Sequence, residues 1–207
     1  MIHPHPRLPG CIPPADHADS PQAWAVTLTT ERYSSPFLSL RTDVIVDPTG
    51  EQHERVVAQP RGAVAVLALD EDSRVLLVEQ YRHPVGARLL ELPAGILDVE
   101  GEPALAAAQR ELAEEGDVGA AEWEELFELV ATPGYSTERW RLFRATDLSP
   151  VPHHERTERQ AEEADLEQWW MPLDDAVDAI FDGRISNALA VAAIMSEKVR
   201  RAQAGEP

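Results

Sequence analysis

Three glutamates, Glu111, Glu114 and Glu115, stand at spacing i, i+3 and i+4 within the segment GILDVEGEPALAAAQRELAEEGDV, residues 95–118. On an α-helix that spacing puts all three carboxylates on one face, about a turn long. Like charges that close repel one another, so something must offset the repulsion. A hard divalent cation does so through oxygen ligands, and Mg2+ also keeps waters and substrate phosphates in its shell. For an isolated ExxEE the ordinary alternative is a solvated acidic face. Here the segment also has a glycine turn and a strand before it. Pro103 suits a first helical position, and Glu102 lies near the positive end of the dipole. Leu105, Ala108 and Leu112 share one face of the expected helix 103–115, and Gly116 is its expected stop. Arg110, the one cation inside this acidic stretch, is placed to tie down and orient a carboxylate.

Around this helix the chain reads as mostly β. Residues 1–22, rich in Pro and His, form an irregular arm; a flexible tail outweighs a metal site at His3, His5 and His17. Residues 23–60 form an N-terminal antiparallel β region, with WAVTLTTERY, FLSLRTDVIVD and HERVVAQ as strands and DPTG at 47–50 as a turn. Residues 61–205 form the main domain. GAVAVLALD and RVLLVEQY read as a buried hairpin, followed by a short strand near Leu89–Leu92. Strands follow near Trp123–Ala131, Arg139–Thr146 and Glu167–Met171, with 147–166 a long polar loop. Helices are expected at about Leu173–Asp182 and Asn187–Ala202. The class is α+β, a mixed sheet flanked by helices in an α/β/α sandwich.

Charge and cysteine usage narrow the function classes. A formal net charge of −19 without a basic patch argues against nucleic-acid binding. No apolar run approaches the roughly 20 residues a bilayer span needs, and no signal peptide is expected. The single cysteine, Cys11, can make neither an internal disulfide nor a thiolate cage, so the cytoplasm is the expected compartment.

Residues 95–118 resemble the Nudix box of the Nudix hydrolases, G-x5-E-x7-R-E-U-x-E-E-x-G-U, where U is bulky and apolar. Gly95, Glu102, Arg110, Glu111, Leu112, Glu114, Glu115 and Val118 follow it in order. Two positions depart from it: six residues separate Gly95 from Glu102, and Asp117 stands at the last glycine. Gly116, one place earlier, is expected to take over the turn. Leu92-Pro93-Ala94-Gly95, Glu79 to Pro84 and Thr132-Pro133-Gly134-Tyr135-Ser136 are similar to the ADP-ribose pyrophosphatase branch, whose marker proline matches Pro133. The C-terminal stretches 162–165 and 184–187 resemble that branch as well.

The resemblance implies hydrolysis of the pyrophosphate bond of ADP-ribose to AMP and ribose 5-phosphate, with Mg2+ as cofactor and Mn2+ as a substitute. Glu111, Glu114, Glu115 and the carbonyl of Ala94 would hold metal, with Arg110 supporting them. The base would come from the loop after the sheet, where Glu162 is favoured over Glu163, and Glu155 and Glu158 are minor candidates. Arg82, Glu91, Pro133, Gly134, Arg55 and Phe37 are the substrate-binding candidates. An Arg fork on a diphosphate oxygen is physically sensible for Arg82, with a plain strand-end arginine the alternative. The branch implies a homodimer that exchanges its N-terminal strand region. Other readings are a Nudix hydrolase of another nucleoside diphosphate sugar and a catalytically silent nucleotide-binding sensor on the same fold.

Overall fold

A computed structural model describes residues 3–4, 6–159 and 164–205. In the arm, β1 (His3–Pro4) pairs with β2 (Cys11–Ile12). The N-terminal β region is a three-stranded antiparallel sheet of β3 (Ala25–Ser34), β4 (Leu38–Val46) and β5 (Gln52–Pro60). Its DPTG turn closes on Asp47, whose carboxylate accepts from the Thr49 and Glu51 N–H groups, while Gly50 supplies a φ of 90°. β3 is exposed along nearly its whole length.

The main domain contains β6 (Ala63–Ala68), β7 (Arg74–Arg82), β8 (Ala87–Glu91), β9 (Ala94–Ile96), α1 (Ala104–Gly116), β10 (Val118–Val130), β11 (Arg139–Pro150), β12 (Glu167–Pro172), α2 (Leu173–Phe181) and α3 (Ala188–Ala204). One sheet has the order β10-β11-β6-β9 and the other β12-β7-β8. Among the described strands of this domain β6 and β11 pair in parallel and the other pairs are antiparallel, so the first sheet is mixed and the class is α+β. Alternate residues of β6 serve two cores. Ala65 and Leu67 pack with Leu77, Leu142, Ala193 and Ile194, in the layer that includes α2 and α3. Val64, Val66 and Ala68 pack with Leu76, Ala108 and Leu112, in the layer that includes α1. Helices cover both faces, which is why this strand reads as an unbroken apolar run rather than an alternating one. No helix among the described residues is long and apolar enough to cross a membrane.

Three local expectations change. The runs 62–70 and 74–81 do not form a hairpin: beyond one bridge between Leu69 and Val75 they lie in different sheets. Their continuous apolarity reflects burial on two faces within separate sheets, not mutual pairing. β9 has no signal of its own in the sequence, since its three residues are ordered by pairing with β6. At the end of α1 the left-handed turn falls on Asp117 (φ 56°, ψ 23°), not on Gly116. Asp tolerates this region better than most residues. Gly116 answers a different constraint, because a Cβ there would stand 2.8 Å from Leu76 Cδ2.

Candidate active site

α1 presents its acidic face toward the Ala94–Gly95 turn. Arg110 Nη1 donates to Glu111 Oε1 at 2.6 Å and to Glu114 Oε2 at 3.2 Å, and Nη2 donates to Glu102 Oε2 at 3.2 Å. One guanidinium thus joins three box carboxylates, and the Glu102 hydrogen bond is the largest cause raising its pKa above the usual arginine range. Glu115, 3% exposed, accepts the Ala94 N–H at 2.9 Å. Glu111 lies so close to Gly95 that a Cβ there would be 2.0 Å from its Oε1. Glycine is needed here for space, since its φ is not positive. Glu111, Glu115 and the Ala94–Gly95 backbone therefore converge on one place, while Glu114 turns toward Arg110 and is about one-third exposed.

A cleft of about 340 Å³ opens beside this turn, lined by Glu115, Ala94 and Gly95 on one side and Arg82, Glu91 and Asn187 on another. Glu91 is buried and accepts from Arg82 Nη2 at 2.6 Å, Asn187 Nδ2 at 3.0 Å and, more weakly, Gln80 Nε2 at 3.4 Å. Asn187 also caps α3, accepting the Ala190 N–H at 3.1 Å. The arginine that faces the cleft is thereby fixed by a carboxylate that is itself held by Asn187 at the start of α3 and by Gln80 of the arginine's own strand. Trp140 and Glu138 complete the wall from β11 and the residue before it.

The other candidates lie elsewhere. Phe37 is exposed, on a turn tied down by Arg61, which donates to the Pro36 and Asp98 carbonyls. Arg55 is exposed on β5 and donates to the Glu54 carbonyl. Pro133 and Gly134 sit in a turn held against β5 by Ala58 N–H to Tyr135 O and Thr137 N–H to Ala58 O. None of these four lines the cleft within this chain. Glu162 and Glu163 lie outside the described residues.

Sequence reasoning missed Gln80, Asn187, Trp140 and Glu138, and also Arg159 and Gln168. The last two meet the C-terminus of α1: both donate to the Glu115 carbonyl and to Asp117 Oδ2. The available signals were the charge at Asp117, where glycine was expected, and an asparagine at a helix start.

The converging side chains are two nearly buried carboxylates, Glu111 and Glu115, and a Cβ at Gly95 would fill the space beside Glu111. That set fits a hard divalent cation held by Glu111, Glu115 and the Ala94 backbone, with Glu114 on the same helical face. A second acidic group, Asp47 with Glu51 and His53, lies at the β4–β5 turn and is engaged in turn hydrogen bonds.

The model of the NUDIX domain family matches residues 59–192. An ADP-ribose pyrophosphatase of Mycobacterium tuberculosis is 39% identical over 171 residues, covering 82% of this chain and 81% of that protein. A methanol dehydrogenase activator of Bacillus methanolicus is 31% identical over 177 residues, covering 85% of this chain and 94% of that protein. A crystal structure described as an ADP compounds hydrolase superposes with a TM-score of 0.78 at 24% identity, covering 92% of this chain and all of the other.

Proposed function

The chain belongs to the NUDIX domain family, and from that premise we propose that it hydrolyses the pyrophosphate bond of ADP-ribose, giving AMP and ribose 5-phosphate. The observation that carries this reading is one cleft holding Glu115 and the Ala94–Gly95 turn on one wall and the Glu91-braced Arg82 on another. The enzymatic name of the relative at 39% identity supports the substrate.

Members of the family generally use a divalent metal, and we assign Mg2+ here, replaceable by Mn2+. Bound, it would neutralise phosphate charge and lower the pKa of a water. Glu111, Glu115 and the Ala94 carbonyl would hold it, with Glu114 as a further ligand. Arg110 fixes the carboxylates before substrate arrives, which removes reorganisation from the reaction. Arg82 aims its guanidinium at a diphosphate oxygen and orients it for attack. A glutamate of the loop after β11, Glu162 in preference to Glu163, takes the proton of the attacking water.

We also assign a homodimer in which the N-terminal sheet reaches the partner. Val26, Leu28, Phe37 and Val56 are all more than half exposed, and the first two, with Val56, belong to a sheet whose outer strand has little cover. In such a dimer Phe37, Arg55, Pro133 and Gly134 are the residues placed to complete a site across the interface. A fully active monomer in light scattering would refute that assembly.

The deciding experiment is a panel of nucleoside diphosphate sugars with Mg2+, counting phosphate-bearing products. ADP-ribose should be cleaved fastest, yielding two monophosphates. If ADP-ribose is ignored while another nucleotide sugar is cleaved, the substrate is wrong and the family stands. Hydrolysis of none, with tight binding retained, would indicate a silent sensor.

A further inference from the structure

Asn187 uses both ends of its amide. Its Oδ1 accepts the Ala190 N–H at 3.1 Å and caps α3, while its Nδ2 donates to Glu91 Oε1 at 3.0 Å. Asn, Asp and Ser cap helices about equally well. Of the three, only Asn carries an acceptor and a donor on separate atoms. The cap does not single out asparagine; the bond to Glu91 does.

Glu91 is 4% exposed, and protein donors meet both of its oxygens. Oε1 accepts from Asn187 and from Arg82 Nε at 3.3 Å. Oε2 accepts from Arg82 Nη2 at 2.6 Å and from Gln80 Nε2 at 3.4 Å. A buried carboxylate so occupied acts on a ligand through the guanidinium it holds.

Gln80, Arg82 and Glu91 all belong to the β7–β8 hairpin. Arg82 is the last residue of β7, and residues 83–86 beyond it are exposed. Among the described strands β8 pairs with β7 alone, so this side of the hairpin is a sheet edge. Hydrogen bonds within the hairpin hold its side chains to one another but not to the rest of the cleft. Asn187 reaches Glu91 from 96 residues further along the chain. Its own seat is firm. The Arg184 and Ile185 N–H groups donate to the Ala179 carbonyl of α2, and Leu189, Ala190, Ala193 and Ile194 are buried in the core. Asn187 and Leu189 both line the cleft.

We propose that Asn187 is a positioning residue: from the capped start of α3 it holds Glu91, and through Glu91 it sets the direction in which Arg82 meets the diphosphate. This rests on the assignment of Arg82 as a substrate contact. The start of the C-terminal helix thereby tunes substrate affinity without touching the metal ligands.

The test is a double-mutant cycle on the full chain, with Asn187→Ser and Arg82→Gln singly and combined. Serine keeps a capping oxygen and lacks the amide donor. Glutamine keeps a donor toward Glu91 and carries no charge for the diphosphate. Asn187→Ser should raise KM for ADP-ribose by about 10-fold, the low end of the scale for losing one hydrogen bond to a charged group. Its kcat, and Mn2+ binding followed by electron paramagnetic resonance, should stay within about 3-fold, because a ground-state contact is loosened and the metal site is intact. In the Arg82→Gln background, Asn187→Ser should raise KM little further.

The same proportional rise in KM with and without Arg82, or a loss confined to kcat, overturns the proposal and leaves Asn187 as a helix cap. So does an Asn187→Ser variant with KM within about 3-fold of wild type while Arg82→Gln raises it. If Asn187→Ser does not fold, Asn187→Asp takes its place, with the same shape and a capping oxygen but no donor; if Arg82→Gln does not fold, Arg82→Lys does, keeping the charge and losing the fork. If the Arg82 variant leaves KM unchanged in an enzyme that cleaves ADP-ribose, the Arg82 assignment fails and this inference with it. An enzyme that ignores ADP-ribose refutes the substrate alone, and the same cycle on the nucleotide it does cleave decides Asn187.

Discussion

Replacing Gly95 with alanine adds one methyl group at a position with no backbone strain, so its effect is purely one of space. The new Cβ would stand 2.0 Å from Glu111 Oε1, 2.1 Å from Cδ and 2.6 Å from Oε2. Ordinary contact begins near 3.4 Å, so the carboxylate must retreat by about 1.4 Å. It is the far end of a flexible side chain, so the fold can yield. The structural loss is chiefly the 2.6 Å hydrogen bond from Arg110, about 1.5–3 kcal/mol for a charge-assisted pair. The catalytic loss should be much larger. A group displaced by about an ångström costs on the order of 100-fold in rate. Gly95→Ala is therefore expected to stay folded, with a modest fall in urea midpoint, while kcat drops by about 100-fold and Mn2+ binding weakens. Circular dichroism, urea titration, steady-state kinetics and Mn2+ paramagnetic resonance on one preparation separate these effects. Turnover within about 3-fold of wild type, with metal binding unchanged, would refute the placement of Glu111 at the metal, since so small a change is under 1 kcal/mol.

Glu91→Gln should raise KM for ADP-ribose with less effect on kcat, because it loosens Arg82 without touching the assigned metal ligands; a fall in kcat at constant KM would count against Arg82 as a ground-state substrate contact. Glu197 is buried against Arg144, Arg200 and Arg201. Burial pushes its carboxyl up, but the Arg200 and Arg201 hydrogen bonds and the Arg144 charge outweigh that and hold it at about 2, below its ordinary 4.5. Its folded pKa is depressed, so its contribution of about 3 kcal/mol is present above pH 4.5 and lost as pH falls toward 2. Glu197→Gln should cost about 3–5 kcal/mol at pH 7 and flatten that acid limb, as read by urea denaturation against pH; an unchanged limb would contradict it. Gly116→Ala should destabilise by about 1–3 kcal/mol by crowding Leu76, whereas Ala120→Gly nearby on β10 should not reproduce that steric effect; a stable Gly116→Ala variant would show that Leu76 can move aside.

The spacing of Glu111, Glu114 and Glu115 by itself determined that one helical face would carry the carboxylates, because 3.6-residue periodicity is a local property. The order of the neighbouring elements was legible for the same reason: apolar runs, Pro103 and Asn187 mark them without reference to distant residues. Tertiary structure alone decided what those elements face. β6 and β7 look like partners in the sequence, yet each is central in its own sheet, because pairing depends on distant strands β11 and β12. Arg110 could be expected to bind one carboxylate, but its grip on Glu102 as well depends on the turn that folds back over the helix start. Glu91 carries no local signal of its role, since Gln80, Arg82 and Asn187 reach it from 11 residues before, 9 before and 96 after. Asp117 is the sharpest case. Read alone it is a flaw in a glycine position; in the folded chain it is a seat for Arg159, 42 residues away, and only packing brings those two charges together.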